Sequence, residues 1–469
     1  MTTAADMILA TLADRPNAAL IEHRNTWYSR GEFLARAHAR AAMLHGAGVK
    51  PGDTIMIIAS DTLSALDTLI GCWIVGAAGC LVDFRTPPDR LTEWQNRLTP
   101  KVIVSTRPVR GFKTLVQDMH PSPMQAPRHI HETADDATAI WFSSSGTTGA
   151  PKLHPRSGIN LGATIDYYKT RLPTPEQGAS LCATSVAYSA SCFRCLRNLA
   201  SGKPIVALDP VHRLDELDAA LTREDVSDCS LPPSTLRRLT ALSGSIPRYP
   251  QLALLVAVGG PASPDDKVAT VTRLSPNFRM TYSAVGFGAI CVIQGREILE
   301  RPTSCGKPFD GVHVSIRSGD RVCTRNEIGR VHVSSDQVED ACPGDMGWLD
   351  DDGYLHITGR EEGLLSRKGV NFPAERITMA ALRLAGIEEA AVLTQPDADG
   401  GDEIHLIVQS KITDTNKITR DLRILLPASE FPDHIQIRPS IPLNAGGKID
   451  LKGLTDLVFP LKADMPHAS

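Results

Sequence analysis

The chain has 469 residues, which is too long for one comfortable hydrophobic core, so its length predicts two or more domains. Hydrophobic residues make up 42% of it and charged residues 22%, as in ordinary globular proteins. The formal net charge of −4 shows no basic bias, so we expect no nucleic-acid partner and no membrane partner.

The ten cysteines are sparse and irregularly spaced, which favours free thiols in a reducing compartment over a disulfide framework. Cys192 and Cys195 form a lone CxxC pair, and two semi-buried thiols on one helix explain it better than a zinc or redox site. No residue is assigned to a metal ion. The opening stretch MTTAADMILATLADRPN lacks signal-peptide features, and no run of about 18 apolar residues predicts a transmembrane helix. We therefore expect a cytoplasmic protein.

The first hundred residues alternate between helix and strand patterns. Ser29 is placed to cap a helix whose apolar residues recur from Phe33 to Leu44, and Gly46 and Gly48 end it. A second apolar helix, TLSALDTLIGCWIVGAAG, lies between two of three apolar strands, which are TIMIIAS, CLVDF and KVIVST. This alternation predicts a parallel sheet that is covered on both faces.

The same alternation resumes after residue 180 and then changes. Strands are predicted at PIVAL, QLALLVAVGG and RMTYSAV, with helices around VHRLDELDAALTR and STLRRLTAL. From Val312 the apolar and polar residues alternate around turns, which predicts antiparallel strands. The last hundred residues predict a small separate unit with one helix, RITMAALRLAG, and the short strands EEAAVLTQP, EIHLIVQS and HIQIRPS.

The stretch SSSGTTGAPK, which ends at Lys152, follows an apolar strand and predicts a polyphosphate site. Gly146 and Gly149 permit positive φ and close approach of the backbone to a ligand. Hydroxyl groups and successive backbone N–H groups can form an anion-binding nest, and Lys152 adds a positive charge. The spacing is not that of a Walker A loop. The alternative is a polar surface loop.

The string from Ser144 to Lys152 is similar to the S-S/T-G-T-T-G-x-P-K signature of the adenylate-forming superfamily. This superfamily comprises acyl- and aryl-CoA synthetases, firefly luciferase and the adenylation domains of nonribosomal peptide synthetases. Further segments resemble its other motifs in the same order, namely GAAGCLVDFRTPPDRL, AVGGPASPD, the stretch from Pro343 to Ile377 and IPLNAGGKIDLKGL.

The resemblance implies an α/β fold in two domains. Residues 1–361 are expected to form a large N-terminal AMP-binding domain of two α/β subdomains plus a small β-barrel. Residues 362–469 are expected to form a small α+β C-terminal lid domain that moves. Glu362 falls at the hinge position of the superfamily, beside Gly363, which would ease the change of backbone angles. A plain charged linker is the alternative for Glu362.

The resemblance also implies an enzyme with two half-reactions. A carboxylate attacks the α-phosphate of ATP, with Mg²⁺, to give an acyl-adenylate and pyrophosphate, and a thiol of CoA or of carrier-protein phosphopantetheine then takes the acyl group. Lys448 is assigned to the α-phosphate and the substrate carboxylate, where it stabilises developing charge. The remaining phosphate contacts are assigned to Ser144, Ser145, Gly146, Thr147, Thr148, Gly149 and Lys152.

The same resemblance assigns the nucleoside contacts. Asp345 is expected to accept hydrogen bonds from both ribose hydroxyls, with Arg360 on the ribose and phosphate side. Tyr282 is expected to lie flat on the adenine, in a pocket that also includes Ser283, Gly259, Gly260 and Pro261. Each assignment has an alternative: Asp345 as a turn aspartate, Lys448 as a solvated lysine, and Arg360 as a surface partner of Glu361 or Glu362.

Two positions depart from the superfamily pattern. Val285 stands where relatives have a threonine that donates to the α-phosphate, and Gly286 stands where they have a glutamate that helps to hold Mg²⁺. One lost hydrogen bond to a charged group costs about 1.5–3 kcal/mol, and Mg²⁺ can be held by the ATP phosphates. The alternative is a degenerate member that binds nucleotide or acyl ligand with little adenylation. A P-loop NTPase is excluded by the loop spacing.

The segment from Tyr188 to Ser191 lies where the superfamily begins its acyl pocket, and it contains no acidic residue to hold an ammonium group. This composition disfavours an α-amino acid and favours a neutral aliphatic or aromatic carboxylic acid. The pocket candidates are Tyr188, Ser189, Cys192 and Phe193, for which core packing is the alternative. No carrier-domain motif follows residue 450, so a carrier protein, where one is used, is expected to act in trans.

Overall fold

The computed structural model of the chain describes residues 2–109, 111–112, 114–116, 137–144, 152–284, 287–335, 338–367, 370–396, 402–443 and 449–459. These residues divide into two compact units. The first contains the described residues of Met1–Gly146, Pro151–Leu231 and Arg248–Val258, and the second those of Pro232–Pro247 and Gly259–Ser469.

In chain order the α-helices are α1 (Ala4–Ala13), α2 (Arg30–Gly46), α3 (Thr62–Ile74), α4 (Pro88–Leu98), α5 (Gly158–Arg171), α6 (Ser189–Ser201), α7 (Leu214–Leu221), α8 (Pro233–Thr240), α9 (Pro264–Ala269), α10 (Arg296–Glu300), α11 (Ala374–Leu382), α12 (Thr415–Leu425) and α13 (Leu451–Val458). A π-helical turn follows α9 at Thr270–Leu274, and 3₁₀ turns lie at Glu361–Gly363 and Ala428–Glu430.

The strands are β1 (Ala19–His23), β2 (Thr26–Ser29), β3 (Thr54–Ala59), β4 (Ala78–Asp83), β5 (Val102–Ser105), β6 (Thr114–Val116), β7 (Thr138–Ser144), β8 (Lys152–Ser157), β9 (Ala179–Cys182), β10 (Ile205–Ala207), β11 (Val226–Leu231), β12 (Leu254–Ala257), β13 (Phe278–Ala284), β14 (Gly288–Gln294), β15 (Lys307–Pro308), β16 (Val312–Ser318), β17 (Arg321–Val322), β18 (Gly329–Ser335), β19 (Val338–Ala341), β20 (Asp345–Leu349), β21 (Leu355–Arg360), β22 (Leu364–Arg367), β23 (Val370–Pro373), β24 (Ile387–Pro396), β25 (Asp402–Ser410) and β26 (His434–Arg438).

The first unit contains a sheet of order β6-β5-β3-β4-β7-β8, in which every neighbouring pair is parallel except β7 and β8. Successive residues of β3 enter two different cores, because side chains alternate across a strand. Ile55 and Ile57 pack in the core that contains α3, whereas Met56 and Ile58 pack in the core that contains Leu91 of α4. The predicted parallel sheet, covered on both faces, is therefore confirmed.

Helices α2 and α3 pack closely within the first unit. Ser29 caps α2 in a capping box with Glu32, as the sequence predicts. Gly71 of α3 lies so close to α2 that a Cβ atom there would stand 2.6 Å from the Cβ of Arg40. Any larger residue at position 71 would force the two helices apart.

The first unit has a second, mainly parallel group of strands in the order β12-β11-β9-β10-β1-β2. Its last pair, β1 and β2, is antiparallel and is joined by a tight turn in which Arg24 and Asn25 have positive φ. The local patterns of the sequence predict neither this hairpin nor helix α1. Helix α6 follows β9, so the residues after β9 are placed at the carboxyl end of a parallel strand.

The second unit contains the antiparallel strands that the sequence predicts from Val312 onward. Their order is β17-β16-β18-β20-β21, with β19 paired to β18. Strands β20 and β21 pair so that Asp345 faces Arg360 across the ladder. The α/β fold class with a mixed, multi-part N-terminal region is confirmed.

The C-terminal residues form a three-stranded sheet in the order β24-β25-β26, with β24 and β25 antiparallel and β25 and β26 parallel. One face of β25 packs through Ile404, Leu406 and Val408 into a core shared with α11 and α12. The other face packs through Ile407 into a core that contains Leu454 of α13. Helices thus cover both faces of this sheet, as expected of the α+β lid.

The predicted domain boundary at residues 361 and 362 lies in the 3₁₀ turn Glu361–Gly363, inside the second compact unit, and it stays a prediction. Of the helices in the described part of the chain, none combines the length and apolar character needed to cross a bilayer.

Candidate active site

Asp345, at the start of β20, forms the centre of the candidate nucleoside site. Its side chain is buried, with 7% of the residue exposed. The phenol of Tyr282, on β13, donates a short hydrogen bond to Oδ2 of Asp345. Burial and the adjacent carboxylate raise the pKa of Tyr282, so this phenol keeps its proton and remains a donor.

Arg360 completes this arrangement from the neighbouring strand. It lies opposite Asp345 in the β20–β21 ladder, and its Nε donates to Oδ1 of Asp345 over 3.2 Å. The sequence also allows Arg360 to pair with Glu361 or Glu362; in the structure Arg360 pairs with Asp345, and Glu361 pairs with Arg330. The role of Arg360 at the nucleotide stays a prediction. An ionised carboxylate has about four lone-pair sites, so two protein donors leave Asp345 able to accept further hydrogen bonds.

Glu375, in the first turn of α11, is a neighbour of this site that the sequence analysis does not assign. Its Oε2 atom is buried and has no hydrogen-bond partner among the described residues, and it lies 2.8 Å from where a Cβ of Gly359 would stand. Burial raises the pKa of Glu375. The signal was present, because Glu375 falls within the Pro343-to-Ile377 stretch that carries the superfamily motif.

The other nucleoside candidates lie on loops and strand ends. Gly259, Gly260 and Pro261 follow β12, and Gly259 has a φ of 92°, a backbone angle that favours glycine. Gly260 is exposed, and no heavy atom of the described residues lies within 4 Å of the position that its Cβ would take. Ser283 follows Tyr282 on β13 and is exposed.

The two ends of the predicted phosphate loop are brought together by an antiparallel pair. Ser144 ends β7, Lys152 begins β8, and these two residues are partners across the ladder. Residues 145–151 lie outside the described residues, and so do Lys448, Val285 and Gly286. The assignments of Ser145, Gly146, Thr147, Thr148, Gly149 and Lys448 therefore stay predictions.

The acyl-pocket candidates lie at the beginning of α6 in the first unit. Tyr188 is the N-cap residue, and Ser189 opens the helix. Cys192 is fully buried in the hydrophobic core, whereas Phe193 is partly exposed and packs against Tyr168 with ring centroids 5.2 Å apart. Cys192 belongs to the core and Phe193 packs against it, whereas Tyr188 and Ser189 lie at the start of the helix. The assignment of these four residues to the acyl pocket stays a prediction.

Cys195 of α6 belongs to a polar cluster with Cys182 and Ser191 that the sequence does not predict. Sγ of Cys182, at the end of β9, lies 3.6 Å from Sγ of Cys195 and 3.6 Å from Oγ of Ser191. The hydrogen bond from Cys195 lowers the pKa of Cys182 to about 7, against the effect of burial. Cys192 and Cys195 are fully buried rather than semi-buried, and all ten cysteines are free.

A buried carboxylate, Asp228, pairs with two basic side chains in the same region. Asp228 of β11 is fully buried and forms ion pairs with Arg194 of α6 and with Lys203, the latter over 2.9 Å. Ser180 also donates to Asp228 over 2.8 Å. This network fixes the orientation of α6 relative to β9 and β11, and therefore positions the pocket candidates at the start of the helix.

Comparison with known proteins assigns the family. The model of the AMP-binding enzyme family matches residues 10–340, which is well over half of the chain, and the chain belongs to this family. The 2-succinylbenzoate–CoA ligase of Oceanobacillus iheyensis is 23% identical over 455 residues, covering 89% of this chain and 92% of that protein. A feruloyl-CoA synthase of an Amycolatopsis species is 24% identical, with 93% and 95% covered.

Longer relatives match over part of their length. The phenyloxazoline synthase MbtB of a Mycobacterium species is 23% identical over 96% of this chain, and the chain spans 41% of that protein. Among solved structures, the o-succinylbenzoate CoA synthetase of Bacillus subtilis in complex with OSB-AMP has a TM-score of 0.82 at 18% identity, with 97% of this chain and 98% of that chain covered. The anthranilate CoA ligase AuaEII in complex with anthranoyl-AMP has a TM-score of 0.83 at 17% identity, with 97% of each covered. These structures establish the fold.

Family membership gives the class of reaction. The chain is an ATP-dependent, AMP-forming acid–thiol ligase, which uses ATP with Mg²⁺ to convert a carboxylic acid to its acyl-adenylate and passes the acyl group to a thiol.

Proposed function

We propose that this chain adenylates a carboxylic acid that lacks an α-amino group, and that Asp345, Tyr282 and Arg360 bind the nucleoside of ATP. The observation that carries the proposal is the Tyr282–Asp345–Arg360 arrangement, in which a buried carboxylate is oriented by two donors and retains acceptor capacity. Two adjacent hydroxyl groups, such as those of a ribose, are suitable donors for the remaining lone pairs.

The residues present fit the nucleotide. Asp345 is held rigid, so a hydroxyl donor meets an acceptor whose position is already set, and little ordering entropy is lost on binding. The ring of Tyr282 is fixed by its bond to Asp345 and offers an apolar surface to a base. Lys152 and Lys448 are proposed to stabilise negative charge on the phosphates and on the substrate carboxylate. ATP supplies the α-phosphate on which the acid is activated, and Mg²⁺ screens the phosphate charge.

The acyl substrate is proposed to be a neutral aliphatic or aromatic acid. From Thr184 to Phe193 the segment before and within α6 has no acidic side chain that would pair with a substrate ammonium group. Tyr188 and Phe193 provide aromatic surface at the start of that helix. The relatives named for 2-succinylbenzoate and for ferulate support this class, since both names describe aryl acids without an α-amino group.

The acceptor is proposed to be CoA or the phosphopantetheine arm of a carrier protein in trans. Both present the same terminal thiol, and relatives of both kinds match the chain. We propose that the reaction takes place in the cytoplasm. The ten cysteines are free thiols, and Cys182 and Cys195 form no disulfide although their sulfur atoms lie 3.6 Å apart, which agrees with a reducing compartment.

The test is pyrophosphate release from Mg·ATP with a panel of aryl, aliphatic and α-amino acids, with mass spectrometry for acyl-AMP. Pyrophosphate release that depends on an acid without an α-amino group, and that Lys448→Ala abolishes, would support the proposal. Lys452→Ala is the matched control, because Lys452 is an exposed lysine on α13 nearby in the sequence. This control variant is expected to keep the wild-type rate.

Two results would count against the proposal. Release with α-amino acids alone would overturn the substrate class, although adenylation itself would stand. No release with any acid, from protein that still binds ATP in a direct titration, would identify a degenerate member in which Val285 and Gly286 have removed adenylation. Equal loss in Lys448→Ala and Lys452→Ala would show that the C-terminal region had been disturbed as a whole.

A further inference from the structure

Three potential metal ligands lie together on the C-terminal sheet, and none of them is among the residues assigned to ATP. Glu403 and His405 are two residues apart on β25, so their side chains leave the same face of the strand. His434 begins the parallel strand β26 and is the ladder partner of His405. The backbone pairing of two strands therefore places one carboxylate and two imidazoles side by side.

The distances between these groups are close to those that a shared metal ion requires. Nε2 of His434 lies 2.8 Å from Oε1 of Glu403, and Nε2 of His405 lies 3.7 Å from Oε2 of the same residue. All the ligand atoms lie within 4.8 Å of one another. Tetrahedral bonds of about 2.0–2.2 Å place ligand atoms about 3.4 Å apart, so small side-chain rotations suffice to close the site.

The buried imidazole of His405 lacks a hydrogen-bond partner among the described residues. His405 is 7% exposed, and within the part of the chain that the structure describes neither of its buried ring nitrogens makes a hydrogen bond. Its ring is held by stacking on His434, with centroids 4.5 Å apart, and by an edge contact with Phe459 at 4.9 Å. A buried polar group without a partner carries a desolvation cost, and coordination of a cation would remove that cost.

We propose that Glu403, His405 and His434 form a binding site for a divalent transition-metal ion of the zinc type. Two imidazole nitrogens favour such an ion over Mg²⁺ or Ca²⁺, which prefer oxygen ligands. Glu403 and His434 are partly exposed, with 39% and 50% of their side chains accessible, so an ion can enter from solvent and complete its coordination with water. The ion would tie β25 to β26.

The proposed role of the ion is to stabilise the C-terminal sheet. Strand β26 is an edge strand, paired only with β25 among the described strands of this sheet. A ligand on each strand adds a cross-link to the parallel ladder, and binding to the folded state alone raises the unfolding midpoint by mass action.

The experiment uses the full chain, freed of metal by a chelator and titrated with Zn²⁺ in a calorimeter. We expect one Zn²⁺ per chain with a raised thermal midpoint, and no comparable effect of Mg²⁺. His434→Ala and Glu403→Gln change partly exposed side chains, so the fold is kept, and each is expected to weaken Zn²⁺ binding at least about tenfold. His332→Ala is the matched control, since His332 pairs with Asp340 over 3.2 Å in another sheet.

The ten cysteines are a second possible source of zinc binding, and cobalt separates the two. Co²⁺ bound by imidazole and carboxylate lacks the thiolate charge-transfer absorption that cysteine ligands produce, and its visible spectrum is expected to disappear in His434→Ala. Thiolate absorption, binding that is unchanged in both His434→Ala and Glu403→Gln, or no stoichiometric binding to the wild type would each overturn the proposal.

Discussion

Asp345 illustrates how a single residue acquires a defined role. It opens β20, pairs with Arg360 on β21 and accepts a hydrogen bond from Tyr282 on β13. A solvated turn aspartate would have none of these neighbours. The carboxylate is thereby oriented before any ligand arrives, which is the property that distinguishes a binding carboxylate from a surface one.

The first prediction concerns this carboxylate. Asp345→Asn keeps the shape of the side chain and removes its charge, so its bonds to hydroxyl donors lose their charge-assisted part, about 1.5–3 kcal/mol. We expect kcat/KM for ATP in acid-dependent pyrophosphate release to fall roughly ten- to hundredfold. Asp351→Asn is the control, because Asp351 is exposed and pairs with Asn326 in a turn. An unchanged kcat/KM in Asp345→Asn would return Asp345 to a structural role.

At the scale of elements, charged residues lock neighbouring helices and strands together. Arg36 and Arg40 of α2 both pair with Asp67 of α3, over 2.7 Å and 2.9 Å, and all three are buried. In the second unit, Arg237 of α8 pairs with Asp266 of α9 over 3.0 Å and donates to the carbonyl oxygen of Glu388 in β24 over 2.7 Å. These pairs determine which faces of the elements meet.

The second prediction tests the α2–α3 contact. Asp67→Ala leaves two buried guanidinium groups without a counter-ion, so we expect a loss of about 3–5 kcal/mol in the free energy of unfolding of this region. The measurement is urea unfolding followed by circular dichroism. Asp215→Ala removes an exposed ion pair with Arg213 and should cost at most about 1 kcal/mol. Similar costs for the two variants would show that the buried carboxylate is dispensable.

The third prediction concerns Glu389 of β24, which lies 3.9 Å from Arg237. Burial raises the pKa of Glu389 to about 6, from 4.5, in spite of the nearby arginine. Because the pKa of Glu389 is higher in the folded protein than in the unfolded chain, the fold is more stable when this carboxyl is protonated than when it is ionised. This stabilisation is fully present below pH 4.5 and is lost as the pH rises through 6. Glu389→Gln removes this loss and should raise stability above pH 7 by roughly 2 kcal/mol.

The measurement for Glu389→Gln is the urea midpoint of variant and wild type at several values between pH 4.5 and 8. The difference between them is expected to grow as the pH rises and to level off above pH 7. Glu300→Gln is the control, because Glu300 is an exposed residue of α10 that pairs with Arg296. A difference that does not vary with pH would show that Glu389 ionises as freely in the folded protein as in the unfolded chain.

At the scale of the whole molecule, two half-reactions must share one chain. Family membership requires an acyl-adenylate to form and a thiol then to reach it, and the predicted hinge at Glu362 offers a place for the change of pose. Glu362 lies in the 3₁₀ turn Glu361–Gly363, between β21, which carries Arg360, and β22. A short turn between two strands is a suitable position for a large change of backbone angle.

The fourth prediction tests this hinge. Gly363→Pro restricts φ to about −65°. Gly363→Ala leaves most of the backbone freedom at this position, and its Cβ would lie no closer than 3.7 Å to any atom of the described residues. We expect Gly363→Pro to keep acid-dependent pyrophosphate release and to lose at least about tenfold in acyl-thioester formation. Gly363→Ala should keep both half-reactions. Equal rates of both half-reactions in Gly363→Pro and wild type would remove the hinge assignment.

The sequence alone determined the elements whose signals are local. The cap at Ser29, the apolar spacing up to Leu44 and the glycines beyond it located α2, and the apolar run of β3 indicated a strand buried on both faces. Such signals can be recognised in the sequence because side chains on one face recur every three or four residues in a helix and every two residues in a strand. The phosphate-loop string identified the superfamily, and with it the assignments of Asp345 and Arg360, through resemblance rather than through chemistry that the residues display by themselves.

Tertiary contacts decided the rest, because they join residues that no local pattern relates. Tyr282 and Asp345 are 63 positions apart, Arg36 and Asp67 are 31 apart, and Glu403 meets His434 across 31 positions. Whether an arginine pairs with a neighbour in the sequence or with a residue on the next strand depends on the register of the strands. In the β20–β21 ladder the register places Asp345 opposite Arg360. Burial likewise placed Cys192 in the core and left the ring nitrogens of His405 without a hydrogen-bond partner among the described residues, since burial is a property of packing and not of the residue.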